Sequence, residues 1–577
     1  MPAGIRLLAL ATEFAICAAM SAATLCAQTA STAESAQAAL QKADAAFRAG
    51  YAAMQAGKVE EAQKNFAEAA RLAPQLPEAH VALGAILVEM GRSGEAIPEL
   101  EKALALKPGD PATEANLAAA HEALARGFVG TGQTVEAERE FRAALEVLPA
   151  ANSGDANAAQ EAELQDELGS LLAQQKRWAE AQSAFSEAIR LSPGGEAAST
   201  PHMHLGVVML EQKRYDDALR ELNQAVSLQP ANATAQFELG RGLAAAGKDE
   251  EAVTHLQEAL KLSPELPGVS LELAMAEQRL GKQQESIPYF EKTVAQEPHN
   301  AQALTNLGLA LTETGKAKDA VPYLQRALTE TPNDLVVHED LGAAELQQSH
   351  FDEAITQFEK AGELDAANPQ LHYDLGLAYK LKDRMDDAVR ELTKAATLDP
   401  SLPDPPYTLG ILYMQMGKLE DAATQLTTAL MLRPTNGDGW AILGSVLKQM
   451  NRRDEAEAAL KRAIALLPNQ PGPHITLAGV FAEDGKRDEA AAERKIAADL
   501  SRTAVNRQRA TLSTNAGNQL LQRGEIADAV SQYQDAIAAD PGYAEAHAQL
   551  AVAYARQGRP EDAAAERQKA EALAKQN

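Results

Sequence analysis

Residues 369–402 read PQLHYDLGLAYKLKDRMDDAVRELTKAATLDPSL. The stretch carries two helical patterns and no alternating run of period two. Three small residues punctuate it, Gly376, Ala388 and Ala395, and Pro400 stands near its end. The next stretch, 403–436, repeats the order with Gly410, Ala422, Ala429 and Pro434, each 34 residues on. Prolines keep that step along the chain, from Pro74 and Pro108 through Pro230, Pro264, Pro298 and Pro332 to Pro468. Self-similarity at a fixed period of this length is the mark of a repeat architecture.

Placing the proline at position 32 of a 34-residue repeat lets fifteen copies be aligned. Position 7 is Leu in all but Ala49 and Ala516, and position 8 is Gly or Ala throughout. Position 20 is Ala except at Ser286, and position 27 is Ala except at Thr293. Position 32 departs from Pro at Ala366, Arg502 and Lys575. Small residues at 8, 20 and 27 let two antiparallel helices approach closely. Leu at 7 and Phe, Leu or Tyr at 24 fill the space between them. Proline cannot continue a helix and closes the second one. Each hairpin has apolar faces that it cannot bury alone, so neighbours must stack.

These positions resemble the tetratricopeptide repeat (TPR) family over everything after residue 42. The resemblance implies an all-α fold, an α-solenoid of about 15 hairpins wound as a right-handed superhelix. The expected organisation is a signal segment at 1–27, a short linker at 28–42, and repeats 1–3 at 43–151. A linker at 152–161 follows, then repeats 4–13 at 162–504 and repeats 14–15 at 510–577. Seven extra residues near LARGFVGTGQ in the third repeat should lengthen a hairpin by about two turns. The last repeat has Arg567 at position 24 and a polar second helix, which reads as a terminal cap. Arg494 at position 24 and Arg502 at position 32 weaken the thirteenth repeat. Its second helix should run on, making 471–509 a bend or boundary. Arg494, Lys495, Arg502, Arg507 and Arg509 form the one strongly basic stretch, read as a solvated helix surface.

Composition agrees with a helical chain. Of 577 residues, 46% are hydrophobic and only 4% aromatic, which suits thin helices packed on small residues. A net charge of −28 argues against nucleic-acid binding, which needs Lys and Arg to displace phosphate counterions. Both cysteines, Cys17 and Cys26, lie in the N-terminal apolar stretch, so the remainder has no disulfide, thiolate metal site or cysteine nucleophile. That stretch opens with Arg6, runs apolar from Leu7 to Leu25 around Glu13, and ends in small residues. It reads as a secretory signal cleaved after Ala27, with an uncleaved membrane anchor as the alternative. The expected location is periplasmic or secreted, with membrane contact only through that segment.

Catalytic patterns are missing. There is no GxxxxGK[ST] loop and no HExxH. GFVGTG at 127–132 has no strand before it, and His202 and His204 are two apart on a helix and cannot share an ion. Ser445 and Lys448 make SxxK without the companion motifs of that hydrolase class. His80, His202, His338, His372, His474 and His547 all fall at position 4. Successive copies lie two interaxial distances of about 8–10 Å apart, too far for coordination at about 2 Å. No catalytic, cofactor or metal site is expected, and no cofactor is implied.

By the resemblance, positions 2, 5, 9 and 12 of the first helix face a concave groove that takes peptides or partner proteins. Position 5 holds no Lys, so the carboxylate clamp that some members build from Lys at 5 and Asn at 9 is not implied. The groove reads apolar and aromatic instead, with acid near it. The candidate partner-binding residues are Met203, Phe237, Tyr373, Leu377, Lys380, Tyr407, Ile411 and Met414. The implied function is a non-catalytic protein-interaction scaffold. Its alternatives are a structural subunit of an envelope assembly, such as a pilus or polysaccharide-export machine, and more remotely an enzyme with a site grafted on the solenoid.

Overall fold

The computed structural model describes residues 30–148, 155–192 and 194–575. The expected signal segment 1–27 lies outside them. The described residues contain 29 α-helices and no strand, and none of those helices is long and apolar enough to cross a membrane. They fall into two compact units that meet at Asn306 and Leu307. Within each unit, successive helix hairpins stack on one another and form an all-α solenoid.

The tenth repeat shows how 34 residues make one hairpin. Its first helix is Pro369–Leu381 and its second is Met385–Leu398. Asn368, the last residue of the preceding repeat, caps the first helix by accepting from the backbone N–H groups of Gln370 and Leu371 at 3.0 and 3.3 Å. Asn232, Asp334 and Asn436 cap equivalent helices from the same position. A β-carbon at Gly376 would stand 2.7 Å from the Leu392 side chain, so only a very small residue lets the two helices approach. Ala388 and Ala395 are fully buried on the facing helix. Asp399, just before Pro400, is extended (φ −133°, ψ 94°) as a residue before proline must be, and the helix stops there.

The turn inside each hairpin depends on a left-handed residue at position 15. Gly417 takes it at φ +75°, while Lys213 takes it at φ +58°. A side chain there costs roughly 1–2 kcal/mol relative to glycine. In each case the next backbone N–H closes the turn, Lys418 onto the Tyr413 carbonyl and Arg214 onto the Met209 carbonyl, both at 2.9 Å.

Four position-4 histidines, His80, His338, His372 and His547, join their repeat to the end of the one before. In His372, Nδ1 lies 2.8 Å from a Glu391 carboxylate oxygen on the second helix, and Nε2 lies 3.1 Å from the carbonyl of Ala366, six residues upstream. His80 and His547 make the same pair of contacts with Glu99 and the Pro74 carbonyl, and with Glu566 and the Pro541 carbonyl. Trp440 donates from its indole to the Pro434 carbonyl at 2.9 Å, and Gln236 donates to the Pro230 carbonyl. The His, Trp or Gln side chain at position 4 in these repeats is thus a hydrogen-bonding staple. Burial works against ionisation of Glu391, but hydrogen bonds from Arg390 and His372 hold it below the usual carboxylate range.

His372→Ala strips partners from both Glu391 and the Ala366 carbonyl, and should cost about 1–3 kcal/mol. His372→Trp restores the carbonyl contact alone and should recover part of that loss. Melting curves of the two variants check this, and a cost below about 0.5 kcal/mol for the alanine variant would mean that water replaces the ring freely.

Two boundaries differ from expectation, and the second helix of the thirteenth repeat runs on as expected. The first helix, Ala30–Gln55, runs through most of the stretch expected as linker at 28–42. The helix Asp155–Gln174 starts inside the linker expected at 152–161, because its Ala, Asn and Asp residues include good helix formers and a helix-start acid. The thirteenth and fourteenth repeats share one 36-residue helix, Arg487–Gln522, which crosses 504–510 without a break. With Arg502 in place of proline nothing stops it, and residues 502–509 are exposed on every side. In the third repeat the extra residues lengthen the first helix to Pro111–Gly130, 20 residues against 13 in Pro369–Leu381.

Candidate partner-binding face

In several neighbouring hairpins the first helices approach one another, as Leu335–Gln347 does Pro369–Leu381 and Asp404–Gln415 does Gly437–Gln449. The structure separates the eight candidate residues into packing residues and accessible ones. Met203 is 8% exposed and sits among Leu219, Leu239 and Leu243. It is a core residue and is withdrawn from the face, because the adjoining helix covers position 5 there. Phe237 is half-buried against the same cluster, with its ring 3.3 Å from where a β-carbon on Gly268 would lie.

The other six lie in the C-terminal unit. Tyr373, Leu377 and Lys380 are half-buried on Pro369–Leu381, and Tyr407, Ile411 and Met414 are half-buried on Asp404–Gln415. Tyr373 leans on the cluster of Phe358, Leu375 and Leu409, whereas Tyr407 and Met414 lean on Leu430, Leu443 and Val446. Neither phenol is hydrogen-bonded among the described residues. Burial, and then the nearby Asp438, push the Tyr407 phenol up.

Sequence reasoning noted acid near the groove but did not assign it to position 6, next to the tyrosines. In the N-terminal unit Glu167 and Glu238 each have a cation, whereas Glu272 has none of its own among the described residues, since Arg279 pairs with Asp249. Arg126 pairs with Glu167 at 2.6 Å as well as with Glu122 and Glu163. Arg241 pairs with Glu238 at 2.7 Å, and Arg241 and Arg279 both pull against the burial that raises Glu272. At position 5, Asp166 lies 3.0 Å from His204.

In the C-terminal unit no Lys, Arg or His pairs with Glu339, Asp340 or Asp374 among the described residues. Burial pushes Asp340 up to about 7, with Glu339, Glu313 and Asp334 adding to it. Asp374 is pushed up to about 6 by burial, against a hydrogen bond from Gln370. Burial also raises Glu339, helped by Asp374 and Asp365, although its carboxylate accepts from the Asn368 amide at 2.8 Å. Asp340 Oδ2 is closed to solvent and accepts no hydrogen bond.

A cleft of about 920 Å³ lies elsewhere, between the second helices of the ninth and tenth repeats. Its charged lining is already self-paired, Arg390 and Lys394 both reaching Glu391. Among the described residues no group of three His, Cys, Asp or Glu side chains could hold a metal ion.

Helix hairpins stacked on one another within each unit define an α-solenoid, an architecture that offers extended surfaces for contact. Family models described as tetratricopeptide repeat match residues 47–111, 160–231, 205–267, 271–334, 369–402 and 407–473, and one described as TPR repeat matches 342–383 and 517–558. The chain belongs to the tetratricopeptide repeat family.

Among solved structures it is similar to MamA (25% identity, 28% of this chain and 94% of that one, TM-score 0.27). It is similar to YrrB, a TPR protein with an unusual peptide-binding site (23% identity, 34% and 97%, TM-score 0.30). It is also similar to the APC/C hetero-tetramer Cut9–Hcn1 (14% identity, 91% and 99%, TM-score 0.30). No curated protein sequence matches the chain.

Proposed function

We propose that the chain is a protein-interaction scaffold that holds a segment of a partner protein on the first-helix face of its tenth and eleventh repeats. TPR proteins bind protein or peptide partners, which sets the class. The observation that carries the location is the pair Tyr373 and Tyr407, at the same position of adjacent hairpins and half-buried beside Leu377, Ile411 and Met414. Tyrosine and methionine are enriched at interfaces, and a few aromatic anchors carry most of the binding energy.

The test takes a partner captured with the full chain and measures its affinity for a Tyr373→Ala, Tyr407→Ala double variant. The expected loss is about 2 kcal/mol or more, roughly thirtyfold, with an unchanged melting curve. Unchanged affinity, or a fall in stability large enough to explain the loss, would make both tyrosines packing residues.

A further inference from the structure

We propose that the chain forms a two-fold dimer through its thirteenth and fourteenth repeats, in which the hairpin of repeat 14 from each copy stacks on the hairpin of repeat 13 from the other. This contact lies apart from the face described above and does not depend on it.

Elsewhere in the C-terminal unit, the second helix of one repeat packs on the first helix of the next. Met385–Leu398 does so on Asp404–Gln415, and Arg453–Leu466 on Pro471–Glu483. Position 28 of one repeat then meets position 3 of the next. A β-carbon on Gly362 would lie 3.7 Å from the Leu371 side chain, and one on Gly439 would lie 3.0 Å from Leu430. Position 3 is accordingly buried in Val337, Leu371, Pro405, Gly439, Pro473 and Ala546. Position 5 is half-buried in Glu339, Tyr373, Tyr407 and Ala441.

Between repeats 13 and 14 the pattern fails on both sides. The second helix of one and the first helix of the other are a single helix, Arg487–Gln522, which cannot pack on itself. Leu512, at position 3 of repeat 14, is 64% exposed, and Ile475, at position 5 of repeat 13, is 58% exposed. Ala498, at position 28 of repeat 13, is exposed as well. The two uncovered surfaces are the two halves of one ordinary joint.

The continuous helix keeps these halves apart within one chain. Residues 487–516 contain no Gly or Pro to break it. The 14 residues from Ala498 to Leu512 hold those two side chains about 21 Å apart along the axis. A second copy brings the halves together. With position 28 on position 3 as elsewhere, Ala498 of one copy faces Leu512 of the other, and the two shared helices run antiparallel. The midpoint of that pairing is Val505, which meets Val505 of the second copy on the two-fold axis.

Val505 is itself 63% exposed, an apolar side chain with nothing of its own chain to cover it. Ala498, Val505 and Leu512 are seven residues apart and share one helix face, the spacing of a helix-to-helix seam. Arg502 pairs with Asp499 at 3.0 Å and Arg507 pairs with Asp540, so these flanking cations are balanced within the chain. Each copy offers one surface of either kind, and the assembly therefore closes at two.

Sedimentation velocity of the full chain should show twice the chain mass. Val505→Arg should halve that mass while leaving the helix content unchanged by circular dichroism. Disulfide trapping then tests the geometry in a Cys17→Ser, Cys26→Ser background. Under mild oxidation Val505→Cys should link two copies, whereas Thr503→Cys, exposed on the opposite side of the helix, should not. Ala498→Cys with Leu512→Cys in one chain should also link two copies, and neither change alone should.

A monomer with the 498 and 512 cysteines joined within one chain would mean that the helix breaks and the joint closes on itself, which overturns the dimer. A monomer with both thiols free would overturn it as well. So would a dimer that survives Val505→Arg and gives no Val505→Cys link, since its contact would lie elsewhere.

Discussion

Phe358→Ala is expected to cost about 3–5 kcal/mol, and to do so locally. Phe358 is 1% exposed and fills position 24 of the ninth repeat. Its ring lies flush on the opposite helix, where a β-carbon at Gly342 would be 2.6 Å from Cε1. Ala354, Ile355, Ala361, Leu371 and Leu375 surround it, and small residues cannot reach inward to close the hole. In a stacked array each hairpin answers only to its neighbours. Amide hydrogen exchange should therefore speed up across 335–398 and stay unchanged across 199–262. Uniform loss along the whole chain, or a cost under about 1 kcal/mol, would contradict this picture.

Asp340→Asn should act in the opposite direction and depend on pH. The folded chain holds the Asp340 proton up to about 7, whereas the unfolded chain releases it near 3.9. Below about 4 both states are protonated, and the residue costs nothing. Between about 4 and 7 the unfolded state gains by ionising and the folded state does not, so wild-type stability declines with rising pH. Above about 7 the penalty is constant, at most about 4 kcal/mol for a difference of roughly three pH units. Asparagine keeps the shape and removes the titration.

Carboxylates held low, such as Glu391, slope the other way and are common to both chains, so they cancel in the difference. Urea unfolding of wild type and variant should converge near pH 4, and the variant should be more stable by roughly 2–4 kcal/mol above pH 7. A gap of the same size at pH 5 and pH 8 would show that Asp340 is not the group responsible.

The hairpin fold was legible because packing writes it in residue size. Gly376, Ala388 and Ala395 have to be small, Pro400 has to end a helix, and each recurs at 34. Other features are enforced by the backbone, which many sequences satisfy. Gly417 advertises its left-handed turn, but Lys213 adopts the same φ and gives no sign of it. The linker expected at 152–161 failed because its alanines serve a helix as readily as a loop. The shared helix through 502–509 followed from an absent proline, yet its solvation on all sides depended on what was not packed there.

The candidate face was half legible. Tyr373 and Tyr407 followed from the family's groove positions, but Met203 occupies the same position and is buried, since burial depends on the neighbouring hairpin. The acids at position 6 went unweighed, because lone Asp or Glu residues on a helix look like ordinary solvated charge. The ion pairs of Glu167 and Glu238, and the lack of one at Glu272, Asp340 and Asp374 among the described residues, show only in the structure. The position-4 histidines were judged as isolated rings, and their partners lie 19 residues ahead and six behind, as with Glu391 and Ala366 for His372.

That last contact also bears on how such a chain can grow. At the joint between 335–368 and 369–402, His372 at position 4 reaches the carbonyl at position 32 of the copy before it, and the cap of its helix, Asn368, sits at position 34 of that same copy. The segment 335–368, with His338 at position 4, the Ala366 carbonyl at 32 and Asn368 at 34, therefore carries both the plug and the socket of such a joint. Duplicating it in frame creates a new junction with every hydrogen-bonding partner already present, and deleting it removes the joint whole. A chain built this way can change length in steps of one repeat with no new interface to invent, whereas a change of any other size breaks the link, unless, as at Pro111–Gly130, the extra residues go into the helix beyond the joint.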